Sequence, residues 1–144
     1  MSRVINTNSP TKIRNQNRRT IAELLQRMAQ KPNFDDESKD MAACMVFALN
    51  EINGANQSAI VAWEKRDYWM KADRFMREWE WVPQSAANIE DVLRHEAWDL
   101  LPELIIGLYP RFTDLQIKTL TRKPILWQGA YEKLMAQPPT EVPY

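Results

Sequence analysis

The chain has 144 residues, 19 of them basic and 19 acidic, which is enough for one domain with its own core and leaves no net charge to attract a polyanion. Its single cysteine, Cys44, excludes an internal disulfide, and the apolar run MAACMVFAL around it is too short to span a bilayer. The segment MSRVINTNSP lacks the apolar stretch of a signal peptide. We therefore expect a cytoplasmic protein that does not associate with membranes and carries no cofactor.

The first predicted element is a basic helix. Ser9-Pro10 has the form of a cap followed by proline at the first helical position, and residues 20–30 carry an apolar face that ends before Lys31-Pro32. Residues 1–31 hold seven basic side chains and one acid, whereas residues 32–64 hold six acids and one lysine. Blocks of opposite sign attract each other within a chain or between subunits. The basic face also suits nucleic-acid phosphates. The candidate nucleic-acid contacts are Lys12, Arg14, Arg18 and Arg19.

The second predicted element is a long helix that begins at the acids 35–37 and meets no proline before Trp81. Two alternatives exist at Asn53-Gly54. The dipeptide is typical of a turn between two helices, but apolar residues keep a helical spacing across it over residues 41–59. Because one glycine costs a helix only ~1 kcal/mol, the spacing favours a continuous helix from Asp36 to Trp81. Such a helix would have roughly 45 residues and a length of nearly 70 Å.

The C-terminal half of this helix, VAWEKRDYWMKADRFMREWEWV, is rich in aromatic and basic residues. On a helical wheel, one face has the width of a core stripe and includes Val61, Tyr68, Phe75 and Trp79, flanked by Trp69. The opposite face combines tryptophan and methionine with arginine, which predicts packing against the rest of the chain, another protein or single-stranded nucleic acid. Nearby acids almost balance the arginines, which favours a protein over a nucleic acid. The predicted protein-interface residues are Trp63, Arg66, Met70, Arg74, Arg77 and Trp81.

This stretch, together with the preceding MAACMVFALNEI, resembles a small bacterial family of helical proteins of uncharacterised function. The resemblance covers residues 40–82. It implies an all-helical bacterial protein and carries no activity to transfer.

Shorter helices are predicted after Pro83, which is expected to stop the long helix. Their ranges are 86–101 with Ser85 as cap, a turn-rich 103–109, 114–121 with Thr113 as cap, and 124–136. The predicted fold class is all-α, an elongated bundle of five or six helices around one long central helix that a kink at Gly54 would divide. We expect a single domain over residues 1–144, with extended tails at 1–9 and 137–144.

Two acidic pairs at ExxD spacing, Glu37/Asp40 and Glu64/Asp67, resemble the metal-binding motifs of the all-α nucleotide pyrophosphohydrolases. In those enzymes such pairs on neighbouring helices hold Mg²⁺, which needs several oxygen ligands on one side. A third pair of the same spacing in the C-terminal half shows how readily the pattern arises. A continuous helix would also hold the first two pairs ~40 Å apart, too far to share a metal.

The sequence therefore predicts a non-enzymatic interaction or structural protein, either a self-associating subunit or part of a larger protein assembly. With His95 as the single histidine, neither a di-iron bundle nor a Ser-His-Asp triad is expected, and we predict no catalytic residue. Two alternatives stay open. One is a nucleic-acid-binding accessory protein that uses the basic N-terminal helix, and the other is a magnesium-dependent nucleotide pyrophosphohydrolase.

Overall fold

The computed structural model describes residues 9–140, and within that range it contains α-helices, short 3-10 turns and no β-strand. The all-α prediction is confirmed. The helices are α1 (Pro10–Gln30), α2 (Asp36–Lys65), α3 (Trp69–Glu78), α4 (Trp81–Arg94), α5 (Leu101–Ile106) and α6 (Ala130–Ala136). The predicted tails fall mostly outside the described residues, although α6 does end at Ala136 as the prediction requires.

The first two helices form an antiparallel pair whose starts are set by local capping. The Ser9 hydroxyl accepts a hydrogen bond from the Lys12 N–H at 3.1 Å, with Pro10 at the first helical position as predicted. At the start of α2, Asp35 and Ser38 cap each other's backbone. Helix α2 runs straight through Gly54, which confirms continuity at that position.

The prediction that this helix continues to Trp81 is wrong, because α2 ends at Lys65 after 30 residues. Asp67 takes the left-handed conformation with φ 62°. The Tyr68 N–H then bonds to the Trp63 carbonyl at 2.9 Å, and the Asp67 N–H bonds to the Glu64 carbonyl at 3.0 Å. These two bonds form a Schellman turn, which satisfies the last carbonyls of a helix and reverses the chain. Helix α3 consequently folds back along α2.

Four other predictions about the helices are also wrong. Pro83 does not stop a helix but lies in the first turn of α4, where its missing N–H removes no hydrogen bond. Helix α4 therefore starts at Trp81 and ends at Arg94, not at Leu101. Residues 114–121 are not helical. The last helix starts at Ala130 rather than Pro124, because left-handed Gly129, with φ 79°, separates it from a 3-10 turn.

The core lies where α2 packs against α1, α4 and α6. Its largest fully buried apolar side chains include Leu24, Met45, Leu49, Ile52 and Trp127. Burying each aliphatic side chain of this size contributes about 1.5–3 kcal/mol. The apolar stripe that predicted continuity across Gly54 is therefore the side of α2 that builds the core.

A non-helical segment, residues 113–123, lies along α1 and is called the strap here. It is held by the carboxylate of Glu23, which is fully buried. This carboxylate accepts hydrogen bonds from the Thr121 N–H at 2.7 Å, the Arg122 N–H at 2.8 Å and the Arg19 guanidinium at 2.9 Å. Burial raises the pKa of Glu23, but these bonds outweigh burial and lower the pKa to about 2. One buried anion thus fixes the strap to α1.

Candidate interaction surface

Residues 65–71, which join α2 to α3, form an exposed aromatic turn called the tip here. Its three large side chains are solvent-facing, with exposed fractions of 53% for Tyr68, 58% for Trp69 and 79% for Met70. Asp67 reverses the chain in the middle of the tip, so that these three residues open α3. Three cations, Lys65, Arg66 and Lys71, stand against one carboxylate in the tip.

The tip extends beyond the N-terminus of α1. The Arg14 guanidinium bonds to the Asn56 side chain at 2.8 Å, which places Arg14 level with Asn56 of α2. Helix α1 begins only about one turn before Arg14, so it does not run alongside the last turn of α2. Ile60 is the last buried residue of α2, and Ala72 is the buried residue of α3. Among residues 9–140, the final turn of α2 and the start of α3 are therefore covered on few sides.

Of the predicted interface residues, the two tryptophans pack against their own chain. Trp63 is half-buried and meets Phe75 edge-on, with ring centroids 4.8 Å apart. Trp81 is half-buried between Trp79 and Phe112, with centroid distances of 6.0 and 5.8 Å. Both side chains thus have an intramolecular role in joining elements.

The remaining predicted interface residues are exposed: Arg66, Met70, Arg74 and Arg77. Arg77 pairs with Asp73 at 3.2 Å within α3. Among the described residues, neither Arg66 nor Arg74 has an ion-pair partner. Arg66, Met70 and Arg74 therefore lie exposed next to the tip's aromatic side chains, and Arg77 lies one turn further along α3.

Tyr68 and Trp69 are the residues that sequence reasoning missed, since it placed them on the core stripe. A helical wheel assumes one unbroken helix, and the turn at Asp67 resets the phase of every residue after it. The available signal was the run of four charged residues 64–67, since aspartate is one of the few non-glycine residues that tolerate the left-handed conformation.

The predicted nucleic-acid contacts are mostly engaged within the chain. Besides its bond to Asn56, the Arg14 guanidinium lies over the rings of Phe75 and Trp79, 5.1 Å from each centroid. Burial lowers the pKa of Arg14, and the nearby charge of Arg18 lowers it further. Arg14 therefore joins α1 to α3 rather than presenting its charge to solvent.

Arg18 and Arg19 have similar internal roles, whereas Lys12 is exposed. Arg18 forms a bidentate pair with Asp114, at 2.9 and 2.7 Å, and donates to the Arg111 carbonyl. Arg19 bonds to Glu23 and to the Thr119 carbonyl. These arginines hold the strap, so their charges are already neutralised or satisfied by the chain itself.

The two acidic pairs do not come together. Glu37, in the first turn of α2, accepts from Lys31 and from the Trp127 indole, and these bonds lower its pKa. Asp40 accepts from the N–H groups that start α6. Glu64 and Asp67 lie at the opposite end of the helix, ~40 Å away. Within residues 9–140, no three potential metal-ligating His, Cys, Asp or Glu side chains cluster.

The single histidine lies on the surface, and the single cysteine lies in the core. His95 is exposed, and its Nδ1 lies 3.2 Å from the Asp91 carboxylate on the same helix. Cys44 is buried in the core, and burial raises the pKa of its thiol to about 11. A thiol with that pKa is protonated at neutral pH and is a poor nucleophile.

Comparison of the chain with protein-family models, with curated proteins and with solved structures finds no match. Across residues 9–140, no helix combines the length and the apolar character needed to cross a lipid bilayer.

Proposed function

We propose that the protein is a non-enzymatic helical interaction protein, an elongated bundle that acts as a self-associating subunit or as part of a larger assembly, and that the tip is its contact surface. The observation that carries the proposal is the exposure of three adjacent large side chains, Tyr68, Trp69 and Met70. A single exposed apolar residue is ordinary, but here three exposed side chains line one shallow depression, and exposed apolar clusters of this kind mark contact surfaces. Tryptophan, tyrosine and methionine are also the residue types enriched at interface cores.

The cations around the tip fit this role as a rim. Arg66 and Arg74 are exposed beside the aromatic residues, and arginine is common at protein interfaces because it binds carboxylates with fixed geometry. Asp67 in the tip and Asp73 close by reduce the positive charge of Lys65, Arg66, Lys71 and Arg74 to a small excess, well short of the one-sided charge that a phosphate backbone needs. This small excess favours a protein as the partner.

Of the two alternatives, neither gains support from the described residues. The arginines of the basic helix bind the strap, Asn56 and aromatic rings of the same chain. The carboxylates of the two ExxD pairs lie at the two ends of α2.

Sedimentation velocity of the full chain tests the proposal. Concentrations from about 1 µM to about 1 mM cover association free energies from about −8 to −4 kcal/mol. We expect the wild-type protein to associate in this range and the double variant Trp69→Ser, Met70→Ser to stay monomeric. The matched control is Ile125→Ser, which removes an equally exposed apolar side chain outside the tip.

Circular dichroism and thermal unfolding check that both variants keep the wild-type fold. A wild-type protein that is strictly monomeric throughout would overturn self-association, and a tip variant that associates as well as the wild type would overturn the tip as the contact surface.

A further inference from the structure

A second exposed apolar surface lies at the other end of the α1–α2 pair. It is an open groove of about 210 Å³ between the end of α1, the loop before α2 and helix α5. Its apolar lining includes Met28, Phe34, Leu101, Ile105, Ile106 and Tyr109. Ile106 is 63% exposed at its edge, so apolar surface continues outside the groove.

The groove has the volume and lining to accept an aromatic side chain. An apolar protein cavity of about 150 Å³ is large enough to bind benzene. The groove is larger than this, and the side chains on its floor, Leu101 and Ile105, are rigid aliphatic groups buried in the core. An aromatic residue entering it would be desolvated on several sides.

The charge beside the groove is opposite to the charge of the tip. Residues 96–106, which supply the groove's α5 side, carry three carboxylates and no cation. All three, Glu96, Asp99 and Glu103, are exposed. The tip carries three cations against one carboxylate. Surfaces of opposite charge attract each other, which speeds the encounter of two molecules and fixes how they are oriented when they dock.

The tip cannot reach the groove of its own chain. Phe34 lines the groove directly before α2 begins, whereas the tip starts where α2 ends. A helix of 30 residues holds these two points ~45 Å apart. Any contact between the two surfaces must therefore join two molecules.

We infer that the tip of one copy docks into the groove of a second copy, with Trp69 as the side chain that enters it. This inference rests on the proposed function and names its partner as the same chain. The two surfaces differ, so the contact is head-to-tail: the second copy still offers its own tip to a third. Such contacts form rings when the rotation closes and open chains when it does not.

Two variants that each destroy one surface provide the test. The tip variant is Trp69→Ser, Met70→Ser, and the groove variant is Ile106→Lys, which places a cation at an exposed position facing the incoming tip. Each variant alone should associate at least tenfold more weakly than the wild type. An equimolar mixture should restore binding as a 1:1 complex that grows no further, because the intact tip of one variant meets the intact groove of the other.

Two controls complete the design. Ile125→Lys makes the same substitution at an exposed isoleucine outside both surfaces and should associate like the wild type. If Ile106→Lys fails to fold, Ile106→Ser replaces it, because it removes the apolar side chain at the groove's edge without adding a charge.

The outcomes separate the two proposals. A groove variant that associates like the wild type, beside a tip variant that does not, would overturn the groove as the docking site and leave the tip as the contact surface. A mixture that stays monomeric although both variants are folded would overturn the head-to-tail contact. A monomeric wild type would overturn self-association and, with it, the head-to-tail contact.

Discussion

The strap and the tip use the same kinds of residue in opposite ways. At the strap, the buried carboxylate of Glu23 accepts hydrogen bonds from the Thr121 hydroxyl, from the N–H groups of Thr121 and Arg122, and from the Arg19 guanidinium of α1. At the tip, the backbone closes its own hydrogen bonds through the Schellman turn and the side chains point to solvent. Residue type alone therefore does not determine whether a side chain stabilises the fold or faces solvent. What matters is whether the fold or the local backbone satisfies the polar groups.

The largest effect is expected from Glu23→Gln, which neutralises the buried anion. The amide oxygen would accept from the N–H groups of residues 121 and 122, but the amide NH2 group would then face the Arg19 guanidinium, which loses its anion. Removing one partner of a buried charged network costs about 3–5 kcal/mol. We expect a loss of that size in the free energy of unfolding measured with urea. Glu51→Gln, at an exposed site on α2, is the control and should change stability by less than about 0.5 kcal/mol.

The free energy of unfolding should also depend on pH through the buried carboxylate of Glu23. Because the pKa of Glu23 is about 2 in the folded protein and 4.5 ordinarily, its contribution is fully present above pH 4.5 and is lost as the pH falls towards 2. The shift corresponds to roughly 3 kcal/mol. Thermal unfolding between pH 2 and 6 should show a decline that is smaller in Glu23→Gln. An equally steep decline in the variant would show that other carboxylates dominate.

A smaller effect is expected from the turn that builds the tip. Asp67→Val puts a β-branched residue into a left-handed conformation, which costs an ordinary residue about 1–2 kcal/mol. Chemical denaturation should report that loss, and Asp67→Gly should be neutral or more stable. If valine and glycine behave alike, the turn does not depend on the backbone conformation of residue 67.

The smallest expected effect is on the stability of the tip variant itself. Trp69→Ser and Met70→Ser remove exposed side chains, and surface substitutions change stability by about 0.5 kcal/mol or less. Unfolding midpoints measured at low protein concentration, where association is absent, should match the wild type closely. A loss of several kcal/mol would mean that these side chains support the fold and are not held for a partner.

The features that the sequence predicts correctly are those set by nearby residues. The cap at Ser9, the end of α1 before Pro32 and the continuity through Gly54 all follow from local spacing and capping chemistry. The buried stripe of α2 follows from helical periodicity. Such signals act within one or two turns, and tertiary contacts do not override them here.

The features that were not predicted depend on distant or ambiguous residues. Asp67 looks like any charged residue of an exposed helix, yet its left-handed conformation decides which aromatic side chains face solvent. Pro83 is read as a stop signal but equally suits a first turn. The strap could not be foreseen because its partner, Glu23, lies about a hundred residues away in the chain.

The Schellman turn and the Arg14 contacts have a consequence for how specificity could change over time. Backbone bonds at residues 67 and 68 shape the tip, and the bond from Arg14 to Asn56 with its stacking on Phe75 ties α3 to α1. None of these contacts uses the side chains of Trp69 or Met70. Under the proposed function, mutation at these two positions would change what the tip binds while the fold of the tip persists, so that binding would evolve separately from folding.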